Sequence, residues 1–207
     1  MATIVFAVAA YLIGSLSFAV IVSRVFGLPD PHSYGSGNPG ATNVLRTGKR
    51  LAAALTLAGD TGKGALAVVL ARNFAADYGV EMTGIALAAV AAFLGHLYPV
   101  FFRFKGGKGV ATALGILCAV DLRLGLATLA SWLVVMLIFR IVSLASIIAA
   151  VFAPLCTAWL FGTASPLLPA VLAIAALLIY RHRENIGRLL AGKESRIDAK
   201  NRAAGGT

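Results

Sequence analysis

Three short stretches of this 207-residue chain combine glycine with cationic and amide side chains at spacings that suit an anion. The first, HSYGSGNPGATNVLRTGKR at 32–50, sets Gly35, Gly37 and Gly40 beside Ser36, Asn38, Thr42 and Asn43 and then supplies Arg46. Glycines let backbone N–H groups converge, hydroxyls and amides add donors, and a guanidinium clamps two oxygens at once, a set that suits a phosphate oxyanion. The glycines also match G-x-G-x-x-G, but they follow an apolar run instead of a strand and no βαβ unit surrounds them, so a dinucleotide site is excluded. Read without chemistry, the stretch is a Gly-, Pro- and Asn-rich turn at a membrane surface.

The second stretch is GHLYPVFFRFKGGKGVAT at 95–112, where Lys105 and Lys108 flank Gly106 and Gly107 just before an expected helix start. A helix N-terminus offers unpaired N–H groups and a positive dipole end, and the two lysines add charge. It is not a nucleotide P-loop, because Gly109 follows Lys108 where Ser or Thr is needed and Phe102 replaces the earlier glycine. The plainer alternative is that Arg103, Lys105 and Lys108 only set topology or touch lipid headgroups. The third stretch, YRHRENIGRLLAGKESR at 180–196, carries His182, Asn185, Arg188 and Lys193. On a continuing helix His182 and Asn185, three apart, share a face, although a basic juxtamembrane helix also serves as a lipid anchor.

Other polar residues have less to say. Asp60 and Lys63 sit in GDTGKGA inside an apolar run, where an ion pair between them or a place lining a cavity is expected. His96 reads as a packing histidine, and Arg140 shares a short turn with Ser143 and Ser146. No serine lies in G-x-S-x-G, and Gly37, Phe101 and Gly187 stand where a His-x4-Asp acyltransferase pair would need its carboxylate. Cys118 and Cys156 lie in apolar runs without CxxC or HExxH, so neither a metal nor a cofactor is expected.

These segments have to be positioned by an apolar scaffold. Hydrophobic residues make up 59% of the chain, charged residues 13%, and mean hydropathy is +0.89. A soluble domain has about 45–50% apolar and about 25% charged residues, so a soluble enzyme and a disordered chain are excluded. Helices rising about 1.5 Å per residue need about 20 apolar residues to cross a bilayer. The expected fold is an all-α integral membrane protein, a single polytopic domain over 1–207 with spans 2–23, 51–72, 84–102, 109–120, 123–139, 141–161 and 167–181, some short or broken. Asp121 and Arg123 mark a turn inside 109–139, and the tail 197–207 is expected to fray. The N-terminal run lacks a basic n-region and reads as a retained span.

The net charge is +10, and with seven spans fifteen of the eighteen Lys and Arg fall on one side. The positive-inside rule then puts the N-terminus outside and the C-terminus in the cytoplasm; six spans would oppose the basic tail to the basic loops. The charge implies anionic partners: nucleic acid, lipid headgroups or small phosphates.

SGNPGATNVLR at 36–46, DTGKGA at 60–65, GHLYPVFFRFKGGKGVAT at 95–112, FRIVSLAS at 139–146 and HRENIGRLLAGKESR at 182–196 together resemble the bacterial integral-membrane acyl-phosphate:glycerol-3-phosphate acyltransferases, the PlsY family. The resemblance implies transfer of a fatty acyl group from acyl phosphate to the sn-1 hydroxyl of glycerol 3-phosphate. The products are lysophosphatidic acid and phosphate, made at the cytoplasmic side of the inner membrane. Neither nucleic acid nor a cofactor takes part, and a soluble enzyme supplies the acyl phosphate. It implies Ser36, Arg46, Lys105, His182 and Asn185 as catalytic residues, with Ser36, Lys105 and the Gly106 and Gly107 amides on acyl phosphate and Arg46, His182 and Asn185 on glycerol 3-phosphate. Gly37, Asn38, Gly40, Thr42, Asn43, Lys108 and Ser143 complete the pockets, while Asp60, Lys63, His96, Arg140, Arg188 and Lys193 are expected to support them. The competing readings are a phosphate or organic-anion transporter, disfavoured because the opposite loops are nearly devoid of Lys and Arg, and a scaffold bound to anionic lipid.

Overall fold

The computed structural model describes residues 1–197, and the expected frayed tail lies outside the described residues from residue 198 onward. The helices are α1 (Ala2–Gly14), α2 (Phe18–Val25), α3 (Ala41–Leu45), α4 (Arg50–Ala75), α5 (Met82–Leu97), α6 (Val110–Val120), α7 (Leu122–Phe139), α8 (Val142–Phe161), α9 (Leu167–Arg181) and α10 (Arg183–Leu190). Among the described residues five segments can cross a membrane by length and composition: Ala2–Val25, Arg50–Ala75, Met82–Phe102, Leu122–Phe139 and Val142–Phe161. Val110–Val120 and Leu167–Arg181 are shorter apolar helices. Large apolar side chains such as Ile4, Leu137, Leu155 and Trp159 point outward, as lipid-facing surfaces require. The chain divides into two compact units, Met1–Gly125 and a second that begins at Leu126.

The first unit is held together by close backbone approach. Gly14 on α1 abuts the Ala92 backbone of α5, and Gly95 of α5 abuts the Tyr11 carbonyl, so a side chain on either glycine would collide with main chain. Gly64 of α4 and Gly115 of α6 form the same arrangement against Thr112 and Thr61. Without a hydrophobic drive between helices in lipid, small residues that allow such contact supply the association.

Within the segment expected as span 2–23 the helix is broken at Ser15–Ser17 into α1 and α2. The break exposes a carbonyl at membrane depth, and the Lys63 ammonium takes it, 2.5 Å from the Leu16 oxygen. Lys63 is also 2.8 Å from Asp60 Oδ1, and both side chains are buried. The expected pair is therefore present and has a structural duty. The stretch 109–139 forms two helices, α6 and α7. Arg72 of α4 donates to the Ala119 and Val120 carbonyls at the end of α6, and Asp121 caps α7 by accepting from the Arg123 and Leu124 amides. A helix too short for the bilayer thus ends on protein partners.

In the second unit, Ser143 and Ser146 belong to the first turns of α8 and not to the turn at Arg140. The helix expected to continue through His182 ends at Arg181, and α10 restarts at Arg183.

Steric contrast among the α4 and α6 glycines yields a prediction. Gly115→Val should destabilise by about 1–3 kcal/mol or more through overpacking. Gly62→Ala, with open space at its Cβ, should stabilise by roughly 0.5–1 kcal/mol through helix propensity. Thermal unfolding in detergent micelles measures both.

Candidate functional site

In the first unit the two glycine-rich segments meet. Asn43, at the middle of α3, is buried and spends its amide on the chain itself. Its Nδ2 donates to the Pro31 carbonyl (2.8 Å) and the Tyr34 carbonyl (3.1 Å), and its Oδ1 accepts from the Ser36 amide (3.0 Å). Asn43, expected among the substrate contacts, shapes the loop that presents Ser36. Gly35 and Gly37 have left-handed φ of 61° and 64°, which brings Gly35 against Asn43 Oδ1 and the Arg46 side chain. Ser36, Gly37, Thr42 and Arg46 are exposed, with Asn38 and Gly40 partly so.

The other segment folds onto this one. His32 Nε2 reaches the Lys105 carbonyl at 3.0 Å, and Gly107 lies so close to the Pro39 carbonyl and the His96 ring that a Cβ would overlap them. Gly106 is equally confined by the His96 and Leu97 carbonyls. The Gly107 amide, expected to face acyl phosphate, donates to the His96 carbonyl (3.3 Å). Gly109, at φ 84°, turns the chain into α6. Lys105 is exposed and Lys108 partly buried. Both lysines stand beside the start of α6, whose first N–H groups and dipole favour negative charge.

Below the loop is a polar core. His96 Nδ1 is 3.1 Å from Thr112 Oγ1 and 3.7 Å from Asp60 Oδ1, so His96 joins the Asp60–Lys63 pair to the first turn of α6. It does more than pack.

In the second unit Ser143 Oγ (2.8 Å), Asn185 Nδ2 (2.5 Å) and Arg188 Nε (2.6 Å) all donate to the Glu194 carboxylate. The geometry follows from the end of α10. Gly192 at φ 66° accompanies bonds from the Gly192 amide to the Leu189 carbonyl and from the Lys193 amide to the Arg188 carbonyl, a reversal that returns Glu194 to the helices. Burial pushes the carboxyl up, but the bonds from Asn185, Ser143 and Arg188 and the Arg188 charge outweigh it and hold it below its ordinary value. Three donors converging on a carboxylate also suit a phosphate. Buried His182 donates from Nδ1 to the Leu178 carbonyl (2.8 Å), so in the neutral ring Nε2 is the acceptor. Arg140 and Lys193 are exposed, and the Arg140 carbonyl accepts from the Ile197 amide.

Sequence reasoning missed Glu194, Asp30 and His32. Glu194 lies in the quoted third segment, and a carboxylate among cations was its available signal. Nothing in the spacing of Asp30 and His32 announced their bond to each other or the contact of His32 with residue 105.

The family described as glycerol-3-phosphate acyltransferase matches residues 4–192. The glycerol-3-phosphate acyltransferase of Herminiimonas arsenicoxydans is 61% identical over 202 residues, 98% of each chain. That of Ralstonia nicotianae is 64% identical over 201 residues, 97% of each chain. A crystal structure of PlsY (YgiH), an integral membrane glycerol 3-phosphate acyltransferase, in its glycerol 3-phosphate form, superposes with a TM-score of 0.88 at 39% identity and covers 98% of this chain and 99% of its own. Its lysophosphatidic acid form gives 0.85 at 40% identity, covering 95% of each. With its apolar helices, this is an all-helical, multi-pass membrane protein. The chain belongs to the glycerol-3-phosphate acyltransferase family.

Proposed function

We propose that the protein transfers a fatty acyl group from acyl phosphate to the sn-1 hydroxyl of glycerol 3-phosphate. The observation that carries this reading is the match, along almost the whole chain, to an enzyme solved in glycerol 3-phosphate and lysophosphatidic acid forms. The choice of acyl phosphate as donor rests on the sequence resemblance and on chemistry. It is an activated mixed anhydride with a stable leaving group, so a site without a strong general acid suffices.

The substrate hydroxyl oxygen attacks the acyl carbonyl carbon, and the bond from that carbon to the phosphate oxygen breaks. The hydroxyl proton passes to a substrate phosphate oxygen, giving lysophosphatidic acid and inorganic phosphate. Catalysis then consists of positioning and charge stabilisation. Ser36 and Lys105 hold the acyl phosphate, helped by Lys108 and the positive end of α6; Gly37, Asn38, Gly40 and Thr42 shape the contacting loop. By the sequence resemblance, Arg46, Asn185 and His182 are the residues assigned to glycerol 3-phosphate. An acceptor at His182 Nε2 suits one of its hydroxyls better than its phosphate.

Seven membrane crossings, with the N-terminus outside and the C-terminus in the cytoplasm, place fifteen of eighteen Lys and Arg on the cytoplasmic side. The protein is thus read as an inner-membrane enzyme with a cytoplasmic active site, fed by a soluble acyl-phosphate-producing enzyme. Ser143, Asn185 and Arg188 hold Glu194, and this brace keeps the donors converged. Asp60, Lys63 and His96 support the loop before α6.

The test is turnover. Detergent-purified protein given acyl phosphate and glycerol 3-phosphate should release lysophosphatidic acid and phosphate in equal amounts; phosphate uptake by proteoliposomes without product would overturn the reading. His182→Ala should lower kcat/KM for glycerol 3-phosphate by about ten- to a hundredfold, the worth of one or two oriented hydrogen bonds. Unchanged kcat and KM would remove His182 from the site. Glu194→Gln should cost on the order of 1–3 kcal/mol of stability at neutral pH. Because the native carboxyl lies below its unfolded value of 4.5, that stabilisation is present above 4.5 and is lost as the pH falls through the lowered native value. Unfolding of wild type and variant should therefore converge only in acid.

A further inference from the structure

The loop between α2 and α3 carries a histidine with two bonds to satisfy. His32 Nδ1 is 2.7 Å from Asp30 Oδ1, and Nε2 is 3.0 Å from the main-chain carbonyl oxygen of Lys105. Each faces an atom that only accepts, so a ring with hydrogens on both nitrogens satisfies both contacts. The side facing Asp30 is rigid. The His32 amide also donates to Asp30 Oδ1 (2.9 Å), the Ser33 amide and hydroxyl donate to the Asp30 carbonyl, and the buried Pro31 between them is held by Asn43 Nδ2.

The other contact is with the main chain at Lys105. Arg103 and Phe104, which lead into it, have φ of 54° and 57°, a left-handed conformation that L-residues disfavour. Such residues persist only where their surroundings over-determine them. Local turns from the Phe104 amide to Pro99 and from the Lys105 amide to Phe102 help, and the His32 bond ties this stretch to the loop before α3.

We propose that His32 is a positioning residue for acyl transfer: oriented by Asp30, it straps the Lys105 main chain to the Ser36-bearing loop and so fixes where the lysine ammonium meets a substrate phosphate. This rests on the reading of Lys105 as a phosphate ligand.

The experiment uses the full-length enzyme in detergent and measures kcat and KM for each substrate in wild type, Lys105→Ala, His32→Ala, His32→Arg and Asp30→Asn. His32 is about one-quarter exposed, 26%, so its replacement should leave thermal unfolding unchanged. The KM that rises in Lys105→Ala should also rise about tenfold in His32→Ala, as for one lost charge-assisted hydrogen bond, with kcat within about twofold and the other KM unaffected. Asp30→Asn should shift the same KM by less, and His32→Arg, with several donors on one side chain, should restore most of it. If Lys105→Ala raises a KM while His32→Ala does not, or if Arg is no better than Ala, the strap is wrong and the lysine assignment stands. If Lys105→Ala moves neither KM, the lysine assignment fails and the strap with it.

Discussion

An ammonium and a carboxylate buried among apolar helices anchor the first unit. Charges at that depth persist when each is matched, and Lys63 is matched twice, by Asp60 at 2.8 Å and by the Leu16 carbonyl at 2.5 Å. The second contact is what permits the break between α1 and α2, since lipid offers no partner to a carbonyl released from a helix ladder. From the same carboxylate the polar contacts lead outward through His96 to Thr112, and the His96 main chain accepts from Gly107. Residues deep in the scaffold and residues at the candidate phosphate loop thus belong to one connected set.

The glycines explain how so much main chain can gather in a small volume. Gly14, Gly64, Gly95 and Gly115 bring helix backbones into contact, while Gly106 and Gly107 press the loop before α6 onto the His96 backbone and ring. In the first role glycine supplies association between helices in lipid. In the second it places the neighbouring lysines by letting the chain lie flat against a buried histidine. At Gly107 the loop motif is also a packing device, with its amide on the His96 carbonyl.

Much of this was legible in the sequence. Apolar runs located the helices, the Asp121 and Arg123 pair located the turn between α6 and α7, and the i, i+3 spacing of Asp60 and Lys63 gave their ion pair. Features that depend on tertiary contact were not legible. The break at Ser15–Ser17 depends on a lysine 47 residues away in the chain. His182 reads as a mid-helix residue until its ring is seen bonded to Leu178 at a helix junction. Asn43 has the composition of a ligand and the geometry of a brace, and Glu194 becomes visible only when α10 reverses at Gly192.

The proposed mechanism, in which lysine, arginine and hydroxyl groups place the substrate phosphates and the acyl carbon is attacked directly, leaves no step for an acylated side chain. Intact-protein mass spectrometry of enzyme quenched during the first turnover, with acyl phosphate present and glycerol 3-phosphate either present or withheld, examines that claim most directly. Positioning catalysis predicts the unmodified protein mass at every time point. An acyl adduct that forms with acyl phosphate and disappears when glycerol 3-phosphate is added, at the rate of product formation, would contradict it.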